Sequence, residues 1–205
     1  LKFERLLDNY LAVAPRGLYS FLDTIPKWLH KRLWIKNEIK DNLKGFTGDI
    51  IFPEHHMSHA SYAFFTSNFE DSSILTIDGV GEWSTTSIGF ANNSGIKLTN
   101  DIRWPHSIGL FYSAFTYFLG FRVNEGEYKL MGLASYGKPK YYDLILEHLI
   151  DVKNDGSIRL NMDYFAFTYD KVMTNNRFSK LFEIPRRNSD EKTEQIHLDI
   201  GASAQ

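Results

Sequence analysis

The chain has 205 residues, 43% of them hydrophobic and 15% aromatic, enough apolar side chain for one large domain or two small lobes. A net charge of −2 offers no surplus of basic surface for a nucleic-acid polyanion, and zero cysteines exclude a disulfide framework, a thiolate metal site and a cysteine nucleophile. No apolar run is long enough to span a membrane and no signal peptide is visible, so the expectation is a cytoplasmic protein without stable membrane insertion.

Residues 1–44 read as a helical segment. Phe3, Leu6, Leu7, Tyr10 and Leu11 recur at helical spacing before Pro15-Arg16-Gly17 interrupts them. Leu22, Ile25, Trp28, Leu29, Leu33 and Ile35 carry a second amphipathic stretch, with Pro26 starting or kinking a helix. Nine basic and five acidic residues give this segment +4 and leave −6 for the rest. A basic, aromatic segment of this kind can lie on a membrane surface or dock with one face solvated, and docking is the expectation.

Ile50-Ile51-Phe52 reads as a short strand ending at Pro53, and the run from Glu54 through Phe65 as a buried helix rich in small and apolar residues. On that helix His55 and His59 lie one turn apart on a shared face. Two imidazoles at this spacing can grip one metal ion, with a third ligand from elsewhere; paired histidines also simply cap or line a core, and spacing leaves both readings open. Next, Ile74–Ile77 reads as a strand, Asp78-Gly79-Val80-Gly81 as a tight turn, Trp83–Phe90 as the returning strand, and Ile96–Arg103 as a third strand after the turn at Asn92–Gly95. Gly79 and Gly81 lack Cβ, so the turn can bring backbone N–H groups to a phosphate, and Asp78 can hold a metal-phosphate or a water. Asp-Gly is also a common plain turn signal, and that reading stays open. Ser107–Leu119 reads as a helix, with Ile108, Phe111, Tyr112, Phe115 and Phe118 on its apolar side. Three antiparallel strands followed by a helix open each lobe of the actin-like, sugar-kinase-like ATPase fold. The expected fold class is therefore mixed α/β (α+β), with residues 45–205 a partial module of that fold: the end of a first lobe and the start of a second.

In Gly126-Glu127-Tyr128-Lys129-Leu130-Met131-Gly132-Leu133-Ala134-Ser135-Tyr136-Gly137, small residues permit close backbone approach, and Lys129 can be drawn into a cleft toward an anion with Glu125 and Glu127 balancing it. The plainer alternative is a short helix ending at Gly137 with Lys129 on the surface. Further on, Tyr141–Ile150 reads as a helix, Ile158–Phe167 as a strand or hairpin arm, Arg177–Glu183 as a short helix, and Arg186–Glu194 as a charged, mobile loop. The chain opens on Leu1 and closes on residues that look like a helix beginning, so it is expected to be a piece of a longer protein.

Three stretches in order, Glu54-His55-His56-Met57-Ser58-His59-Ala60, Leu75-Thr76-Ile77-Asp78-Gly79-Val80-Gly81-Glu82-Trp83-Ser84-Thr85-Thr86 and Gly126–Gly137, resemble the O-carbamoyltransferase family that includes the nodulation-factor, cephamycin and tobramycin carbamoyltransferases. The resemblance is closest from about Phe46 to Tyr136. It implies an actin-like ATPase module in which carbamoyl phosphate and ATP form carbamoyl adenylate, whose carbamoyl group passes to a hydroxyl of a small-molecule or sugar acceptor. It implies a divalent metal, iron before zinc, on His55 and His59 and on an aspartate much later in the family's chain, with ATP entering as its Mg complex. His56 would point elsewhere, as a supporting or core residue. Asp78 and Lys129 become the candidates for catalysis, and Gly79, Gly81, Glu82, Glu127 and Gly132 for lining the phosphate and nucleotide site. The family's first strands and its late aspartate would lie outside this chain, so the piece alone is expected to be inactive and to bind metal weakly. A homo-oligomer is compatible with this reading. Two other classes stay open: a different metal-dependent ATPase-fold enzyme, such as a tRNA threonylcarbamoyl-transfer relative or a kinase, and a non-catalytic binding module.

Overall fold

Ile74 and Thr76 turn inward while Ser73, Leu75 and Ile77 face out, the period of two that marks a strand with one buried face. The computed structural model describes residues 2–205, and this strand, β1 (Ser72–Ile77), begins its larger sheet. It pairs antiparallel with β2 (Ser84–Asn92), which pairs antiparallel with β3 (Gly95–Arg103), in the order β1-β2-β3. The expected meander is therefore present, with its first turn spanning residues 78–83. The fold is mixed α/β, as expected.

The N-terminal segment forms α1 (Lys2–Val13), α2 (Leu18–His30), a 3-10 turn (Arg32–Trp34) and α3 (Ile35–Asn42), with Leu1 outside the described residues. Pro26 sits inside α2, and the helix continues past it. Ile50–Phe52 forms no strand: the segment is irregular and pairs with no other strand among the described residues, with Ile51 and Phe52 exposed. After it comes α4 (His55–Phe65). His56, Ala60 and Phe64, spaced by four, are the buried stripe of α4 and pack with Ile74 and Ala91, supported by Ile96 and Leu98. A residue one position before such a stripe lies about 100° around the helix. His55 and His59 thus sit on the flank of α4 beside the sheet's first turn.

The main core gathers around α5 (Ile108–Phe118). Phe111, Phe115 and Phe118 meet Phe165, Phe178 and Phe182 in tilted and edge-to-face contacts, with ring centroids 4.9–6.4 Å apart. Around it lie α6 (Glu127–Ala134), α7 (Tyr142–His148), α8 (Asn176–Leu181) and α9 (Gln195–Ala204). A small hairpin, β4 (Ile150–Val152) with β5 (Ile158–Leu160), contributes Ile150, Ile158 and Leu160. The strand expected over Ile158–Phe167 is shorter, because β4 offers only three residues to pair with.

The start of the loop at 186–194 is anchored to the end of α5. Arg187 is buried, donating from Nε to the Leu119 carbonyl at 2.8 Å and from Nη1 to the Glu191 carbonyl at 2.6 Å, and its own N–H bonds the Phe118 carbonyl at 3.0 Å. Arg186 donates to the Tyr117 carbonyl at 2.9 Å and lies over the Tyr117 ring. The last carbonyls of α5 have no partners within their own helix, and these two arginines supply them along with favourable charge at the negative end.

Candidate metal centre

The first turn of the sheet is held from two sides. From one, Ser107, the N-cap of α5, accepts from the Leu110 N–H at 3.0 Å and donates toward the carbonyls of Asp78 (3.1 Å) and Gly79 (2.8 Å). Behind it Gly109 allows the start of α5 to press against this backbone: a Cβ there would meet the Asp78 carbonyl oxygen at 2.5 Å and the Gly79 nitrogen at 2.7 Å. From the other side Gly81 faces α4, where a Cβ would meet His56 Cδ2 at 3.1 Å and His55 Cβ at 3.2 Å. Gly81 thus lets the turn reach the histidine helix. Gly79 is less confined; an added Cβ would find Leu110 at 3.8 Å, an ordinary contact.

This packing places the Asp78 carboxylate over the exposed ends of His55 and His59. Asp78 Oδ2 hydrogen-bonds His55 Nε2 and lies 3.7 Å from His59 Nε2, and the two Nε2 atoms are 3.1 Å apart. Among the described residues, these three form a group whose donor atoms all lie within 4.8 Å of one another. An ion with tetrahedral bonds of about 2.1 Å keeps its ligand atoms about 3.4 Å apart. The His59 separations of 3.1 and 3.7 Å bracket that spacing, whereas the shorter His55–Asp78 hydrogen bond has to open to admit an ion between them; two imidazoles and a carboxylate are a donor set that a divalent first-row cation such as iron or zinc can take. Each side chain remains a third to a half exposed, so the cluster opens outward. A groove of about 380 Å³ leads from His59 along β1, lined by Tyr62, Ala63, Leu75 and Ile77.

Electrostatics favour the ionised carboxylate of Asp78. Burial alone would raise the Asp78 pKa, but the Gly79 N–H at 2.6 Å, the His55 hydrogen bond and the two nearby imidazoles bring it below the usual carboxylate range. Glu82 behaves similarly: burial opposes its ionisation, yet the His55 backbone N–H at 3.0 Å, its own N–H and the neighbouring Lys2 hold it low. Its carboxylate satisfies an orphan donor at the first residue of α4, and so caps the helix that carries both histidines. His56 turns the other way. Its Nδ1 lies 2.7 Å from Ser87 Oγ and 2.8 Å from Thr76 Oγ1, and burial lowers its pKa, keeping it a neutral core residue.

The other sequence candidates lie apart from this cluster. Glu127 accepts from the N–H groups of Asn124 (3.0 Å) and Gly126 (3.2 Å) and from the Ser113 hydroxyl (2.9 Å), closing the start of its own helix. Lys129 is exposed on α6 with its ammonium over the Tyr128 ring, and Gly132 faces open space. Helix α6 packs on α5 and α9. The amides at Gly79 and Gly81 are engaged inside the turn, with Asp78 Oδ1 and the Ser84 carbonyl at 2.9 Å. Sequence reasoning did not find Ser107, Gly109 or the capping role of Glu82. A serine opening a helical run was visible as a helix start, but nothing local tied it to Asp78.

Residues 1–205 match the family model described as "Carbamoyltransferase N-terminus". The chain belongs to this family. It is 50% identical to an uncharacterized protein of Synechocystis sp. over 99% of this chain and 34% of that protein. It is 33% identical to the nodulation protein NolNO of Sinorhizobium fredii over 76% of this chain and 21% of that protein. With the nodulation protein NolO of Bradyrhizobium diazoefficiens the identity is 35%, over 53% of this chain and 20% of that protein. The chain thus spans about a third of the Synechocystis relative and about a fifth of the nodulation proteins. Among the described residues, no helix is long and apolar enough to cross a membrane.

Proposed function

We propose that this chain is the metal-holding part of an O-carbamoyltransferase, in which His55, His59 and Asp78 bind one divalent cation, iron or zinc. The observation that carries the reading is the convergence of those two imidazole nitrogens and one carboxylate oxygen within 4.8 Å, in a member of the carbamoyltransferase N-terminus family. In this reading water hydrolyses carbamoyl phosphate to carbamate and inorganic phosphate. Carbamate then displaces pyrophosphate from ATP to form carbamoyl adenylate, and a hydroxyl of a small-molecule or sugar acceptor displaces AMP. Such an adenylate supplies the leaving group that carbamate lacks. The cation, when bound, offers Lewis-acid stabilisation of charge on phosphoryl oxygens.

The chain's own residues prepare the place. Asp78 stays ionised and contributes the negative ligand. Glu82 fixes the start of α4, and with it the direction of His55 and His59. Ser107 and Gly109 brace the backbone that carries Asp78. Because the reaction consumes ATP, the reading belongs to the cytoplasm. The test is to incubate the full-length protein with carbamoyl phosphate and ATP without acceptor, following pyrophosphate release and carbamoyl adenylate by mass. Pyrophosphate that requires both substrates and is lost in His59→Ala is the expected result. No pyrophosphate from folded, metal-loaded protein would overturn it.

A further inference from the structure

The turn that carries Asp78 has a third support, from a segment remote in sequence. Arg5, on α1, donates from Nη1 to the Gly81 carbonyl at 2.9 Å, across 76 residues. Its guanidinium lies over the Trp104 ring, 5.2 Å from the centroid. Trp104 is itself tied to the same turn, its N–H donating to the Trp83 carbonyl at 2.9 Å. The indole Nε1 donates back to α1, to Asn9 Oδ1 at 2.9 Å. Lys2, one turn before Arg5, lies 3.9 Å from Glu82, the residue that caps α4. The first helix therefore grips Gly81, Glu82 and Trp104 together, at the point where the turn meets the two histidines.

We infer that Arg5 is a positioning residue for the metal centre: it holds the Gly81 carbonyl so that Asp78 and Glu82 stay in register with His55 and His59. This rests on the metal reading proposed above and extends it to a residue that touches neither metal nor substrate. Gly81 lies between Asp78 and Glu82 in the chain, and its carbonyl belongs to the peptide that leads into Glu82. Gly81 also packs directly on His55 and His56. A shift of this one peptide would separate the carboxylate from the imidazoles while leaving the aromatic core around α5 intact. Partners hydrogen-bonded directly to metal ligands, when removed, weaken metal binding about 10- to 100-fold; Arg5 acts one step further out, through the Gly81 carbonyl, and belongs at the low end of that range.

The experiment uses the full-length protein, stripped of metal and titrated with Co²⁺, followed by the visible absorption of the bound ion. Four variants are compared with the parent: Arg5→Met, Arg5→Lys, Asp23→Asn and His59→Ala. Arg5→Met keeps an unbranched apolar side chain but removes both the donor to Gly81 and the cation over Trp104; Arg5→Lys restores a cationic donor. Asp23→Asn removes the charge from the exposed 2.8 Å contact between α2 and Lys171, far from the turn, and so controls for loss of a charged contact elsewhere on the helical segment. Circular dichroism checks that each variant is folded. The expected result is Co²⁺ affinity about tenfold weaker in Arg5→Met with an altered spectrum, recovery to within about threefold in Arg5→Lys, and no change in Asp23→Asn. Parental affinity in Arg5→Met, with binding lost in His59→Ala, would overturn the role of Arg5 and leave the metal reading standing. Equal weakening in Arg5→Met and Asp23→Asn would also overturn it, as a general effect of losing a charged contact on the helical segment. A parent that binds no Co²⁺ would overturn the metal reading and this inference with it.

Discussion

The aromatic core and the histidine cluster are built on opposite terms. Around α5, Phe115, Phe118, Phe165 and Phe178 are fully buried, and Phe178 meets the rings of the other three. At the sheet's first turn the functional side chains are half-exposed, and a small patch of Ala60, Phe64, Ile74 and Ala91 is all the buried apolar surface beneath α4. What holds the turn is a set of backbone contacts: Ser107 to the Asp78 and Gly79 carbonyls, Glu82 to the His55 N–H, Arg5 to the Gly81 carbonyl. Stability thus comes mainly from one region and ligand geometry from the other. Substitutions in the two should separate along that line.

Phe115→Ala tests the stability side with the largest effect. Truncating a fully buried phenylalanine at the centre of the ring cluster should cost about 3–5 kcal/mol, read by urea denaturation. Where the variant remains folded, its metal affinity should match the parent's. His59→Ala is the mirror image. It should lower metal affinity by more than about 100-fold, measured by equilibrium dialysis, while changing the stability of the metal-free protein by less than about 1 kcal/mol, because the side chain is half-exposed.

A pair of glycine variants sharpens the boundary between the regions. Gly81→Ala forces a methyl against His55 and His56 and should both destabilise the protein by about 1–3 kcal/mol and weaken metal binding. Gly79→Ala has room at Leu110 and should be much milder on both measures. Equal effects of the two would contradict the view that Gly81 serves the contact with α4.

The smallest effect expected is a pH dependence far from the cluster. Asp199, buried on α9, bonds Lys140 at 2.6 Å, the Gln195 amide at 2.8 Å and the Lys138 N–H at 3.0 Å, which bring its pKa from 3.8 to about 2. A depressed carboxylate pKa contributes stability that is complete above 3.8 and fades as pH falls toward about 2. Asp199→Asn should therefore destabilise the protein at neutral pH, and its difference from the parent in thermal melts should shrink between pH 4 and pH 2, while metal affinity at neutral pH stays unchanged.

These contrasts also explain what the sequence could reveal. The helix carrying His55 and His59 was legible because four-residue spacing fixes a shared face whatever the surroundings. The meander was legible from alternation in Ser72–Ile77 and from the Asp-Gly and Asn-Asn-Ser-Gly turns. That Asp78 joins the histidines was not, since a separation of 23 positions between His55 and Asp78 encodes no distance; the Gly81 contact with α4 sets it. The charged run at 186–194 read as mobile because its arginines look solvated until the carbonyl end of α5 is placed beside them. Arg5 looked like a surface charge on an amphipathic helix for the same reason, its partner being 76 residues away.

The most direct test of the central claim is X-ray absorption at the iron edge on the full-length protein loaded anaerobically with ferrous iron. The expected result is one bound ion with two imidazole ligands and a carboxylate oxygen at about 2.0–2.2 Å, losing one imidazole in His59→Ala and the carboxylate in Asp78→Ala. A shell without imidazole scattering, or one that neither variant alters, would contradict it.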